Sequence, residues 1–156
     1  MNQCDPSQTA DQAPDKSSCT PDPDLSIGYL LTTVRTRMLQ EMDAALNPHG
    51  LTGAQFTILR RIAENSAHTA ADLCRLLQYD TGSMTRMLDR LEEKGVIGRE
   101  RCPDDRRVVN IRLTDSGAHD YPKWREEVRG RLSDIFDVLS NDEQTLLRSL
   151  LNRLIK

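Results

Sequence analysis

The chain has 156 residues, of which 37% are hydrophobic, 29% charged and only 4% aromatic, a composition that fits one globular domain with an aliphatic core. No apolar run approaches the ~20 residues that span a bilayer, and the N-terminus lacks the apolar stretch of a signal peptide, so we expect a cytoplasmic protein with no membrane partner. The net charge of −3 is unlike that of a typical nucleic-acid binder, but it is uneven, since residues 1–24 carry −4 and the remainder +1.

The N-terminal segment, residues 1–23, is rich in Ser, Thr, Pro, Asp and Gln and has almost no apolar residues. It cannot bury enough surface to offset the entropy lost on ordering, so we predict a disordered tail. From Asp24 to Leu46 apolar residues recur at helical spacing. The Asn47-Pro48-His49-Gly50 sequence then ends the predicted helix.

Three shorter helices are predicted between Leu51 and Gly95. Thr52 and Gln55 have the spacing of a capping box at the start of the first, and Thr69 is a predicted N-cap of the second. Tyr79-Asp80-Thr81-Gly82 is a predicted turn, and the third helix follows from about Thr81 to Lys94. A short helix, a tight turn and a further helix form a helix-turn-helix. The side chains expected to face the core are Leu73, Leu76 and Leu77 in the second helix and Met84, Leu88 and Leu91 in the third.

After Gly95 the hydrophobic period changes from 3.6 to 2, which indicates β-structure. Val109, Ile111 and Leu113 share one face of a strand that the stretch 97–101 can pair with, and the loop between them consists of turn-forming residues. The sequence therefore predicts a β-hairpin, or wing, directly after the helix-turn-helix. The predicted fold is mainly α with a small β-hairpin (α+β), a winged helix-turn-helix spanning residues 51–115.

Two further helices are predicted at the C-terminal end, residues 116–156, with a capping-box spacing between Ser140 and Glu143. The last eleven residues contain six large aliphatic side chains. Residues 24–50 and 116–156 are both too apolar to form lone surface helices, so we predict that they hold a homodimer together. In the alternative, the two ends pack against each other within a monomer.

The outer side of the helix from Thr81 to Lys94 is suited to DNA. Its hydroxyl groups can reach phosphates or base edges, and the free N–H groups at its start favour phosphate. Arg86 can pair with guanine O6 and N7 in the major groove. In the alternative, this is a solvated amphipathic helix whose arginines pair with its own acidic residues. The candidate DNA-binding residues of this helix are Thr81, Ser83, Thr85, Arg86 and Arg90.

The predicted hairpin tip carries Asp105, Arg106 and Arg107, which we add to the DNA-binding candidates. An exposed arginine can enter a narrow minor groove, where the potential is most negative, and a nearby carboxylate can orient its guanidinium. Alone, this sequence is also compatible with a charged surface turn. Joined to a helix-turn-helix it favours a regulator of double-stranded DNA, whose dimer places two recognition helices ~34 Å apart on a pseudo-palindromic operator.

These motifs resemble the MarR family of bacterial transcriptional regulators over roughly residues 25–156. The resembling stretches are L-T-x-x-Q-F-x-x-L from Leu51, D-T-G-S-M-T-R-M-L-D-R-L-E-x-K-G from Asp80, D-R-R from Asp105 and L-T-D-x-G from Leu113. The resemblance implies an obligate dimer that usually represses, and release from DNA when a small aromatic compound binds between the dimer and DNA-binding lobes. It further implies Arg107 in the minor groove supported by Asp105, major-groove contacts from Ser83, Thr85 and Arg86, and Thr81 and Arg90 nearer to phosphates.

The sensing mechanism has two candidates. A pocket for an aromatic ligand would use Tyr29, Arg35, His49 and Trp124. Alternatively, Cys102 at the start of the wing loop is a redox sensor, because the adjacent arginines favour a reactive thiolate whose oxidation would alter the hairpin.

Other functional classes fit the sequence less well. The four cysteines match no zinc-binding pattern, and none has the motif of a thiol enzyme. We therefore expect no metal, no cofactor and no catalysis. A dimeric interaction adaptor without DNA binding is a further alternative, which the intact wing arginines disfavour.

Overall fold

The structure is a computed structural model that describes residues 23–103, 105 and 107–155, with side chains from Ser26 onward. The predicted tail up to residue 22 lies outside the described residues, as do Asp104 and Arg106. Six α-helices and a two-stranded hairpin follow one another in this range. Their bounds are α1 Pro23–Leu46, α2 Gly53–Ala63, α3 Ala70–Leu77, α4 Thr81–Glu93, β1 Ile97–Arg101, β2 Val109–Leu113, α5 Asp115–Phe136 and α6 Asn141–Ile155, with a short 3-10 turn at Asn47–His49 between α1 and α2.

The helix starts are fixed by side-chain caps, as expected from the sequence. Thr52 and Gln55 form the predicted capping box, with backbone-to-side-chain distances of 3.1 and 3.2 Å. Thr69 caps α3 in the same way. The predicted turn before α4 is shorter than expected, because Asp80 accepts a hydrogen bond from the Ser83 N–H at 2.8 Å and so starts the helix at Thr81. Caps of this kind satisfy N–H groups that have no partner within the helix.

The core of the winged helix-turn-helix is mainly aliphatic, with Phe56 as a buried aromatic side chain. Met84, Leu88 and Leu91 are buried, as predicted, and so is Leu73. The prediction for Leu76 was wrong, because this side chain is 42% exposed. The helix turns by about 300° between positions 73 and 76, so Leu76 lies at the margin of the buried face, whereas Leu77 packs against the core.

The predicted hairpin is confirmed, with β1 and β2 antiparallel and Ile97 opposite Leu113. Ile111 is buried, and its N–H donates to the carbonyl of His68 at 2.8 Å, which ties the hairpin to the segment before α3. Gly117 has to be a glycine, because a Cβ there would collide with the carbonyl oxygen of Val96. The hairpin and the start of α5 are therefore locked to the helix-turn-helix, and the predicted winged-helix fold class is confirmed.

The terminal helices leave apolar surface uncovered. α1 packs on α5, but α6 has no buried residue among its described side chains. No helix in residues 23–155 is long and apolar enough to cross a membrane. The exposed apolar residues at the two ends are Ile27, Tyr29, Leu30, Leu31 and Val34 in α1, Val138 after α5, and Leu146, Leu150, Leu154 and Ile155 in α6.

Candidate nucleic-acid interface

The α4 helix presents its polar side chains opposite its buried face. Thr81, Thr85, Arg86 and Arg90 are exposed, and Ser83 is half-buried. Asp80 holds the first turn, and the hydrogen bond from the side chain of Ser83, followed by that from its N–H, lowers the pKa of the carboxyl. The structure thus gathers all five helix candidates on the solvent side of one rigid element.

The acidic residues of α4 do not neutralise its arginines, contrary to what the solvated-helix alternative requires. Asp89 accepts a hydrogen bond from Arg99 Nη2 at 2.7 Å, and Glu92 accepts one from Arg99 Nη1 at 2.9 Å. Within the described part of the chain, Arg86 and Arg90 form no ion pair. Their positive charges are consequently available to an external anion.

The wing tip orients an exposed arginine. Asp105 accepts hydrogen bonds from the backbone N–H, Nε and Nη2 of Arg107 at 3.0, 3.1 and 3.2 Å, while 91% of the Arg107 side chain remains exposed. The side-chain hydrogen bonds from Arg107 are also the main cause of the lowered pKa of Asp105. The guanidinium is therefore held in a defined orientation and stays open to a ligand; the third tip candidate, Arg106, lies outside the described residues.

The four residues proposed from the sequence for an effector pocket do not come together in one chain. His49 and Trp124 are neighbours, with ring centroids 6.1 Å apart, and His49 Nε2 lies 2.7 Å from Glu127 Oε2. Tyr29 and Arg35 are exposed on α1, and Arg35 lies roughly 17 Å along the helix from its end at Leu46.

A groove that the sequence did not reveal lies between α2 and α5. Its volume is about 420 Å³, and its apolar wall consists of Phe56, Val128, Leu132 and Phe136. Tyr121 stacks on Phe56 with ring centroids 5.8 Å apart. Burial, followed by the charge of Glu64, raises the pKa of Tyr121. Three guanidinium groups, from Arg60, Arg125 and Arg129, line the groove together with the carboxylates of Glu64 and Asp137 and the polar side chains of Ser133 and Gln144.

The arginines of this groove differ in how far they are already paired. Arg129 lies 2.6 Å from Glu126, and Arg60 lies 3.9 Å from Glu64. Arg125 forms no ion pair with any residue that the structure describes. Arg125 and Arg129 are four residues apart, a spacing from which the sequence could have predicted that they share one face of α5. Their position beside α2 follows only from the fold.

Both cysteines in the part of the chain that the structure describes, Cys74 and Cys102, are free thiols. Cys102 is half-buried, and its N–H donates to the carbonyl of Val108 at 2.9 Å, which closes the wing loop. Cys74 is half-buried against the core. Across the described ranges, no three His, Cys, Asp or Glu side chains form a group that could hold a metal ion.

Comparisons with known proteins agree on one family. The MarR family profile matches residues 51–109. The chain is 33% identical to the HTH-type transcriptional regulator FarR of Neisseria gonorrhoeae, covering 84% of this chain and 90% of that one. It is 32% identical to the multiple antibiotic resistance protein MarR of Escherichia coli (strain K12), covering 84% and 92%. A crystal structure of a mutant of E. coli MarR in complex with operator DNA has 31% identity and a TM-score of 0.76, covering 87% of this chain and all of that one.

Proposed function

The chain belongs to the MarR family, and from that premise we propose that it is a transcriptional repressor that binds a pseudo-palindromic operator in double-stranded DNA as a homodimer. Its relatives are transcriptional regulators, and we propose no catalytic activity for it. It would act in the cytoplasm, where it meets its operator.

The observation that carries this proposal is the pairing of the acids of α4 with Arg99 rather than with Arg86 or Arg90. A helix can read the major groove only if its cations and hydroxyls are free to meet bases and phosphates. We assign base contacts to Ser83, Thr85 and Arg86, and phosphate contacts to Thr81 and Arg90.

The wing supplies the second contact of this mechanism. Arg107 would enter the minor groove next to the base pairs read by α4, where narrow A·T-rich segments concentrate negative potential. Because Asp105 already orients the guanidinium, less side-chain freedom is lost on binding than for a free arginine.

The uncovered apolar side chains support the dimer. If the two ends of a monomer packed on each other, α1 and α6 would share a buried face, yet Leu30 is 56% and Leu154 70% exposed. Exposed aliphatic surface of this density is typical of an interface. We propose that residues 24–50 and 116–156 form the two-fold interface.

A small aromatic effector, preferably an anionic one, would bind the α2–α5 groove. This groove joins the DNA-binding lobe to a dimerisation helix, and it combines an apolar wall with the unpaired guanidinium of Arg125. A flat apolar ring with a carboxylate fits that chemistry. A ligand wedged there would change the angle between the two lobes and hence the separation of the two recognition helices.

Redox sensing at Cys102 is the second candidate mechanism, because the half-buried thiol belongs to the residue whose N–H closes the wing loop. Oxidation of that thiol would disturb the loop that carries Arg107. If this is correct, peroxide weakens DNA binding of the wild type but not of Cys102→Ser. Equal sensitivity of both proteins would exclude this residue as the sensor.

The proposed function is tested by selecting duplexes from a random-sequence pool with the wild-type protein and sequencing those retained. We expect an inverted repeat with half-sites separated by about 10 base pairs, one helical turn, and two chains bound per duplex. The proposal would be contradicted if the retained duplexes shared no sequence, or if they carried a single half-site bound by one chain.

A further inference from the structure

We propose that Arg99 is a positioning residue for DNA binding, which fixes the wing against the recognition helix α4 and screens two carboxylates from the DNA backbone. The inference rests on the proposed DNA-binding function and assigns a role to a residue that does not itself contact DNA.

The geometry joins two elements through one side chain. Arg99 lies at the centre of β1, and its two terminal nitrogens donate to two different carboxylates of α4, Asp89 at 2.7 Å and Glu92 at 2.9 Å. The acceptors are three residues apart and thus neighbours on one helix face. A planar guanidinium that serves two acceptors has its orientation fixed, which a single ion pair does not achieve.

Arg99 is more shielded from solvent than the two carboxylates it binds. Only 29% of the Arg99 side chain is exposed, against 46% for Asp89 and 40% for Glu92. Partial burial of Arg99 reduces the screening of its charge by salt, so its two hydrogen bonds contribute more free energy than those of a fully exposed pair.

Arg99 is also the last side chain of β1 that is not exposed. Beyond it along β1, Glu100 and Arg101 are exposed. Arg107 lies four residues from Ile111, the strand partner of Arg99, which is roughly 13 Å along the hairpin at ~3.3 Å per residue, so a 10° rocking of β1 would move the Arg107 backbone by about 2 Å. A displacement of that size is enough to lose a hydrogen bond. The orientation of Arg107 by Asp105 is therefore useful only if the base of the wing is fixed.

The second effect is electrostatic. Asp89 lies one helical turn beyond Arg86, on the helix that we place in the major groove. Without Arg99, two unpaired carboxylates would stand within about a Debye length of the phosphates, ~10 Å at moderate salt, and would repel them. Removal of Arg99 therefore costs affinity through misplacement of the wing and through repulsion.

A double-mutant cycle between Arg99 and Arg107 separates positioning from general stability. Affinities of wild type, Arg99→Gln, Arg107→Ala and the double variant are measured by fluorescence anisotropy on a duplex selected by the wild-type protein. If Arg99 positions the wing, Arg107 already contributes little to DNA affinity in the Arg99→Gln variant, so adding Arg107→Ala should lower that affinity only slightly. We expect its effect to shrink by about fivefold or more, a coupling typical of groups that act as a unit. Arg112→Gln on the neighbouring strand, whose side chain is 68% exposed and 3.9 Å from Glu100, is the matched control and should be additive with Arg107→Ala.

A second variant isolates the electrostatic part. Asp89→Asn with Glu92→Gln removes the strong acceptors but leaves no repelling carboxylate, so it should lose the coupling to Arg107 while binding DNA more tightly than Arg99→Gln. Arg99→Lys, which can serve only one carboxylate well, should fall between wild type and Arg99→Gln. If circular dichroism shows that Arg99→Gln is unfolded, the double-mutant cycle is measured instead between Arg107→Ala and the variant Asp89→Asn with Glu92→Gln. Additive effects in that cycle would overturn the positioning role.

The outcomes are distinguishable. Additive effects of Arg99 and Arg107 in a wild type that binds its selected duplex would overturn the positioning role and leave the proposed function intact. Failure of the wild type to bind any duplex would overturn the proposed function itself.

Discussion

Arg107 donates three hydrogen bonds to Asp105, two residues before it, while 91% of its side chain remains exposed. Because the contact is formed within a single loop, it depends on no distant element. The wing therefore presents an oriented cation whose position relative to α4 is set separately, at the base of the hairpin.

Asp105→Ala should weaken DNA binding less than Arg107→Ala, since the cation remains and only its orientation is lost. The salt dependence of DNA affinity should distinguish the loss of the cation in Arg107→Ala from the loss of its orientation in Asp105→Ala. Arg107→Ala lowers the slope of log affinity against log salt by about one if the guanidinium displaces one counterion, whereas Asp105→Ala leaves the slope close to that of wild type. Anisotropy titrations at several salt concentrations measure both quantities, with Asp137→Ala, an exposed carboxylate remote from the wing, as control. Identical slopes for Asp105→Ala and Arg107→Ala would contradict the assignment.

The cap of α4 predicts a pH dependence of stability. The folded-state pKa of Asp80 is lowered, chiefly by its hydrogen bond with the Ser83 side chain, so its stabilising effect is fully present above the unfolded-state pKa, about 3.9. That effect is lost as the pH falls through the lower folded-state pKa. Urea unfolding should accordingly show Asp80→Ala less stable than wild type at neutral pH, with a difference that shrinks below about pH 4. A difference that stays constant into acid would rule out the carboxylate cap as its cause.

Introducing charge on the uncovered face of α6 should dissociate the proposed dimer. Wild type is expected to sediment at about twice 17.7 kDa, and Leu150→Glu with Leu154→Glu at the monomer mass, because burying two carboxylates in an apolar interface is strongly unfavourable. Asn152→Glu lies on the same helix at an exposed position and is the control that should remain dimeric. A wild type that sediments as a monomer at micromolar concentration would contradict the interface.

The α2–α5 groove should bind aromatic carboxylates through Arg125. We expect 1-naphthoate to raise the melting temperature of the wild type, since a ligand that binds only the folded state stabilises it. The shift should be smaller for 1-naphthol, which lacks the carboxylate. Arg125→Ala should reduce the naphthoate shift to about that of 1-naphthol, while Arg131→Ala, which lies next to the 3-10 turn rather than in the groove, should keep the full shift. An unchanged shift in Arg125→Ala would place the ligand elsewhere.

The winged-helix fold could be predicted from the sequence because its signals are local. Capping residues at Thr52 and Thr69, and the change of period after Gly95, each lie within a few residues of the element they define. The misplaced Leu76 shows the limit of such signals: in a helix of eight residues, one apolar residue at the edge of the stripe cannot be assigned to the core without its neighbours.

The candidate site could be predicted only in part. The α4 residues and the Asp105–Arg107 pair follow from one helix and one loop. The partner of the α4 acids could not be predicted, because Arg99 reaches Asp89 only after β1 has turned back along the helix. The arginine-lined groove depends in the same way on packing between α2 and α5, which are about 60 residues apart in the chain.

The central claim, that α4 and the wing form one DNA-reading surface, is tested most directly by titrating Arg86→Ala and Arg107→Ala on a set of single-base operator variants at two salt concentrations. Arg86→Ala should cost about 1–3 kcal/mol and relax the preference at one base position, whereas Arg107→Ala should weaken binding and flatten the salt dependence without changing that preference. Circular dichroism establishes that both variants are folded. If both folded variants bind every operator variant as tightly as wild type at each salt concentration, this surface does not read DNA.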